Sequence, residues 1–223
     1  HTCDSHRTGS EVVVVPHAKH PAGAERELTK RGDDDAGPMP RYGRTPTGKI
    51  PQAAETFAYL APAYACMNQR QLAIGESTFE GRVELLSDKG WIDCETLTRL
   101  MLERAATARD AIRIGGELLK QYGWCDVGEA LTIADPQEVW VLEIIGPGKD
   151  QVGAVWAAQR VPDDHVSVVA NSSRIGEIDL AKPDFFMASD NVFQVAQQRG
   201  YWDPKGGRSF RFYEAYNPDG RTS

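Results

Sequence analysis

Residues 11–16 (EVVVVP) form an unbroken apolar run closed by proline, which predicts a short buried strand. Periodicity then disappears over 17–50, where Gly, Pro and charge accumulate, including Asp33, Asp34 and Asp35. That composition predicts a long surface excursion, and a loop of such length is a candidate lid over a substrate site. Apolar and aromatic positions return with partial alternation at 52–64 (Phe57, Tyr59, Leu60, Tyr64). The segment 72–78 (LAIGEST) reads as a further strand ending in small and polar residues, so the pair predicts a hairpin.

The middle of the chain changes period from two to 3.6. Asp93 precedes a stretch with Leu97, Leu100, Met101 and Ala105 on one face, and Thr107 to Asp110 forms a capping-box pattern that restarts a helix. The second helix carries Ala111, Ile112, Leu118, Leu119 and Tyr122 and stops at Gly123. The two helices pack side by side or in tandem. Strands follow at 130–135 and 139–145, joined by a Pro136-Gln137-Glu138 turn as an antiparallel hairpin, then at 154–161 and 165–171. A last helix is expected over 190–199, capped by Ser189 and ended by Gly200. Strand groups on either side of a helical centre predict one layered α+β domain over 1–223, without internal repeats and without the βαβ alternation of a parallel sheet.

Composition narrows the function. The 32 acidic and 25 basic side chains leave a formal charge of −7, which argues against a phosphate-neutralising surface and hence against nucleic acid as partner. No run of 18 apolar residues is present, so no membrane insertion is expected. Cys3, Cys66, Cys94 and Cys125 contain no C-x-x-C pair, which removes zinc-ribbon and redox motifs and leaves buried thiols or disulfides open. Residues 43–49 imitate the start of a P-loop, but Ile50 replaces the Mg²⁺-binding hydroxyl and Pro51 interrupts the helix. His6, His17 and His20 match no metal spacing, and the Asp33–Asp35 run lacks the rest of a calcium loop. No cofactor and no metal are expected, and the five tryptophans read as packing.

Four phrases in order carry a resemblance: 66–78 (CMNQRQLAIGEST), 93–100 (DCETLTRL), 134–140 (ADPQEVW) and 160–171 (RVPDDHVSVVAN). Together they resemble the cysteine dipeptidases of the dipeptidase A and secernin family, a branch of the N-terminal-nucleophile hydrolases, from about Asp4 to the C-terminus. The resemblance implies a four-layer αββα sandwich with two antiparallel sheets, and a small peptide as substrate. It also implies a cysteine at position one of the mature chain, whose own α-amino group, with a reference pKa of about 7.7–8.0, acts as general base to its thiol. Here position one is His1 and Cys3 carries two residues ahead of it. The expectation is a fragment whose nucleophile and first strand lie upstream, truncated also at its C-terminal end and inactive alone. A homo-oligomer and an exported location, favoured by the Thr2-Cys3-Asp4 wording, complete the expectation.

The resemblance also proposes site residues. Asp4 would orient the nucleophile's amine, with a solvated turn aspartate as the alternative. Asn171, at a strand end, would donate to the oxyanion, with an Asx turn as the alternative. Glu76, Ser77 and Thr78 would line the substrate site, whereas Asn68 in the preceding turn is structural, suiting a positive-φ position. Arg174 would pair with a substrate carboxylate or else sit in a surface ion pair. An N-acyl amide hydrolase and a non-catalytic secernin-like interaction protein are the competing functions.

Overall fold

The computed structural model describes residues 12–34, 41–62 and 64–219. In chain order they form β1 (Val13–Val15), β2 (Ala18–Lys19), β3 (Glu25–Asp34), β4 (Arg41–Pro51), β5 (Glu55–Thr56), β6 (Tyr59–Ala61), β7 (Met67–Asn68) and β8 (Ala73–Glu80). Helices α1 (Cys94–Arg104) and α2 (Ala108–Tyr122) follow. Then come β9 (Gly128–Ala134), β10 (Val139–Ile145), β11 (Val155–Val161), β12 (Phe186–Ala188), α3 (Val192–Gln198) and α4 (Phe212–Tyr216). Eight strands make one antiparallel sheet in the order β1-β6-β7-β8-β9-β10-β11-β12. The fold is α+β, and the strand groups before and after the helices are a single sheet because β8 pairs directly with β9.

Local chemistry explains the helices. The Asp93 carboxylate accepts from Thr96 N at 2.8 Å and the Thr107 hydroxyl from Asp110 N at 3.2 Å, so each helix starts on a side-chain cap. Gly123, at φ +74, takes the left-handed turn that ends α2, and its amide returns to Leu119 O. The apolar stripes of both helices (Leu97, Leu100, Met101, Ala111, Ile112, Leu119) lie against Ile74, Leu131, Ile133, Trp140, Leu142 and Ile144 of the sheet. Each fully buried side chain of this size stabilises by about 1.5–3 kcal/mol. We call this side the helix-covered face.

Strand alternation sends the neighbouring residues to the other side, the open face. One end of the open face is covered by the C-terminal segment: Ile175, Val192, Val195, Ala196, Phe210, Phe212 and Tyr216 pack with Ala130, Ile145, Val155 and Ala157. At the opposite end one apolar row crosses seven strands in register: Val14, Leu60, Met67, Ala73, Ala134, Val139 and Val161. Four of these side chains face solvent, with Val14 64%, Met67 43%, Leu60 37% and Val139 37% exposed.

Four expectations change, the first being that β1 forms but is not buried: Val13 and Val14 are 50% and 64% exposed. The 17–50 stretch is a ribbon: β3 and β4 pair from Glu25↔Pro51 to Asp34↔Arg41, and β2 pairs with β5. Its backbone groups satisfy one another across the ribbon, and Leu28 and Ile50 are buried at its base. The base is held to the helical layer by Thr96 Oγ1 to Thr29 O (2.6 Å), by Thr47 Oγ1 to Trp91 O (2.7 Å) and by the Arg26–Glu103 ion pair (2.9 Å). The base of the ribbon is thus attached on the helix-covered side. Residues 165–171 form no strand, and Val166 and Val168 are 90% and 71% exposed. Helix α3 starts at Val192 without a side-chain cap, since the Ser189 hydroxyl instead accepts from Trp156 N at 3.0 Å; Gly200, at φ +71, does follow its end.

Candidate functional site

Successive residues of β8 face opposite ways, which divides the candidate residues. Registers Ser77↔Ala130 and Glu143↔Ala130 put Ser77 and Glu143 on the open face, two strands apart. Glu76 and Thr78 point to the helix-covered face.

Residues 171–175 cross the open face from β8 to β10. Asn171 sits over β8 in the left-handed region at φ +48. Its backbone N–H donates to Ser77 Oγ and its Nδ2 to Thr78 O, both at 2.9 Å. Asparagine tolerates this conformation better than other non-glycine residues, which is the physical content of its placement here. Ser172 and Ser173 then turn inward and are buried. The Ser173 hydroxyl and the amides of Arg174 and Ile175 all donate to the Glu143 carboxylate, the last at 3.2 Å.

Glu143 is fully buried in the centre of the sheet. Burial pushes its carboxyl up to about 7, against the pull of the Ser173 hydroxyl, the two amides and the Arg174 charge. The sequence holds the signal for it: in VWVLEII the glutamate interrupts an apolar strand, and a buried carboxylate needs partners. Those partners lie some thirty residues downstream, beyond the reach of a local pattern. Arg174 itself is exposed.

The structure thus brings Ser77, the Thr78 backbone, Asn171 and Arg174 to one crossing and sends the Glu76 side chain elsewhere. Glu76, Cys94 and Glu129 each place a ligand-type atom within 4.8 Å of the other two on the helix-covered face. Thr78 Oγ1 donates to Glu129 Oε1 there at 2.7 Å. No fourth His, Cys, Asp or Glu joins that trio among the described residues. Burial, and then the charges of Glu129, Asp126, Glu76 and Asp93, hold the Cys94 thiol well above its ordinary range. Burial likewise raises Cys66, and burial with Asp93 and Asp126 pushes Cys125 up to about 12. All three are free thiols, poor in thiolate. Asp4 and Cys3 lie outside the described residues.

Asn68, expected in a positive-φ turn, works differently. Gln71 takes the positive φ of 63, while the Asn68 amide donates to Leu102 O and Ala105 O (2.9 and 2.8 Å) and its oxygen accepts from Arg70 N and Leu72 N. It ties the β7–β8 turn to the end of α1, a structural role by another route.

A cleft of about 640 Å³ opens on the helix-covered side between α2 and the β11–β12 edge, lined by Gly116, Trp156, Met187 and Asn191 among others. It is on the other side of the sheet from Asn171.

Comparison with known proteins places this geometry in a family. The model of peptidase family C69 matches residues 41–222. A probable dipeptidase of Latilactobacillus sakei is 27% identical over 160 residues, covering 68% of this chain and 30% of the relative. A probable dipeptidase B of Lactococcus lactis subsp. lactis is 38% identical over 96 residues, 43% of this chain and 19% of the relative. A probable dipeptidase B of Streptococcus pyogenes serotype M1 is 26% identical over 123 residues, 55% of this chain and 23% of the relative. The chain therefore spans less than a third of the length of each of these relatives. With a family match that covers most of its length, the chain belongs to peptidase family C69.

Proposed function

We propose that the protein is a dipeptidase that hydrolyses small peptides through a cysteine nucleophile, and that this chain supplies the floor of its active site. The observation that carries the reading is the family match over residues 41–222, a span that contains Ser77, Glu143, Asn171 and Arg174. The nucleophile is none of Cys66, Cys94 and Cys125, since a thiol held protonated by burial and neighbouring carboxylates attacks a carbonyl poorly. A chain-terminal cysteine with its own amine as base meets the need. The thiolate attacks the scissile carbonyl, Asn171 donates to the oxyanion, the amine leaves, and water releases the acyl group from the thioester. Asp4 orients the terminal amine, and the exposed Arg174 receives the substrate's free carboxylate.

The same reading places a second sheet on the open face, completing a four-layer αββα sandwich from further parts of the polypeptide. The row from Val14 to Val139 supports it, because exposed apolar side chains aligned across neighbouring strands mark a surface suited to an apolar partner. So does the exposed 166–168 segment, whose alternation suits a strand.

The test is hydrolysis by the full-length gene product, offered dipeptides with free carboxylates and, in parallel, N-acyl amides. Dipeptide turnover that vanishes when the chain-terminal cysteine is changed to alanine is expected. Turnover of acyl amides alone would replace the substrate class. No turnover and no labelling by a thiol-directed probe would make the protein a non-catalytic member of the family.

A further inference from the structure

We propose that Glu143 is the positioning residue of this site: its carboxylate fixes the 171–175 crossing and so sets where Asn171 presents its amide. The inference rests on the dipeptidase reading above and assigns a role to a residue that does not itself reach the substrate.

The crossing has no strand partner among the described residues; it is held over β8 and β10 by side-chain contacts and, at its far end, by the Tyr213 N–H bond to Ile175 O (3.0 Å) and the burial of Ile175. At the β8 end Asn171 contributes two bonds, to Ser77 Oγ and Thr78 O. At the β10 end Glu143 alone collects three donors, from Ser173, Arg174 and Ile175. Once ionised, the carboxylate suits this because it is acceptor-only, with two oxygens that receive an O–H and two N–H groups together. Any shorter or apolar side chain would leave the part-buried Arg174 amide, the buried Ile175 amide and the Ser173 hydroxyl without this acceptor, and the part of the crossing before Ile175 would relax away from β10. Asn171, two residues upstream and in a left-handed conformation, would turn with it. A donor displaced by an ångström still tolerates substrate binding but serves the oxyanion badly, so the loss falls on kcat.

The experiment uses the full-length protein with a dipeptide substrate. Glu143→Ala is expected to lower kcat by about tenfold to a hundredfold with KM essentially unchanged. Glu143→Gln, which keeps one acceptor oxygen, should recover part of the loss. Ser173→Ala removes a single strut and should lower kcat less than either; it carries the test if Glu143→Ala does not fold. In an Asn171→Ala background Glu143→Gln should cost little more, because the residue acts through Asn171. Wild-type turnover with unchanged kcat in all Glu143 and Ser173 variants, or a loss confined to KM, overturns the role and leaves the dipeptidase reading standing. Absence of turnover in the wild-type protein removes both.

Discussion

The two faces of the sheet are built on different physics. On the helix-covered face the central contacts are apolar and dry: Trp140, Leu142, Ile144, Leu131 and Ile133 meet α1 and α2 with almost no exposed area. On the open face the same strands present Ser77, Thr132, Glu143 and an uncovered apolar row, and the 171–175 crossing is held by hydrogen bonds to Ser77 and Glu143 before Ile175 joins the apolar cluster at one end. Burial without direction suits the first, where only volume and shape matter. Directional polar contacts suit the second, where the position of one amide matters more than total stability.

The contrast can be broken most severely on the apolar side. Trp140→Ala should destabilise the chain by about 3–5 kcal/mol, read as a shift of the urea midpoint at unchanged slope. A loss below about 1 kcal/mol would show that the helical layer does not depend on that face. The open face should answer to pH instead. Glu143 ionises near 7 in the folded chain and near its ordinary 4.5 when unfolded. Between these values the native state holds a proton that the unfolded chain has released. This residue's contribution is therefore complete below pH 4.5 and is lost as pH rises through 7, by on the order of 3 kcal/mol. Other carboxylates such as Glu138 and Asp135 are lowered and slope the opposite way, so the quantity to measure is the wild-type minus Glu143→Gln difference across that range. A difference that does not vary with pH would assign Glu143 an ordinary ionisation. The smallest effect is expected at the uncovered row: Val139→Thr should change the melting free energy of this chain by no more than about 0.5 kcal/mol. In the full-length protein the same substitution should cost clearly more, and equal effects in both would mean that nothing covers the row.

What was legible in the sequence follows from the range of the forces. Both central helices were readable because Asp93, Thr107 and Gly123 cap them within a turn and the stripes repeat every 3.6 residues. The 128–145 hairpin was readable because its turn is short. The β3–β4 ribbon was not, since its Gly-rich and charged residues read as loop until each strand finds the other in register. Residues 165–171 failed in the reverse sense: their alternation is that of a strand, but no strand pairs with them among the described residues. At the site, the meeting of Asn171 with Ser77 and Thr78 joins residues more than ninety positions apart. The resemblance could name those positions, but only the fold shows that Glu76 faces away from them and that Glu143 stands beneath.

The alternation of β8 also limits how this chain can diverge. A single-residue deletion between 73 and 78 would slip the phase of the strand and exchange Ser77 with a neighbour now aimed at α1. Insertions in the turns cost little, whereas an odd-numbered change of length inside β8 inverts it. Turn lengths in this chain can thus change while the parity of that strand cannot.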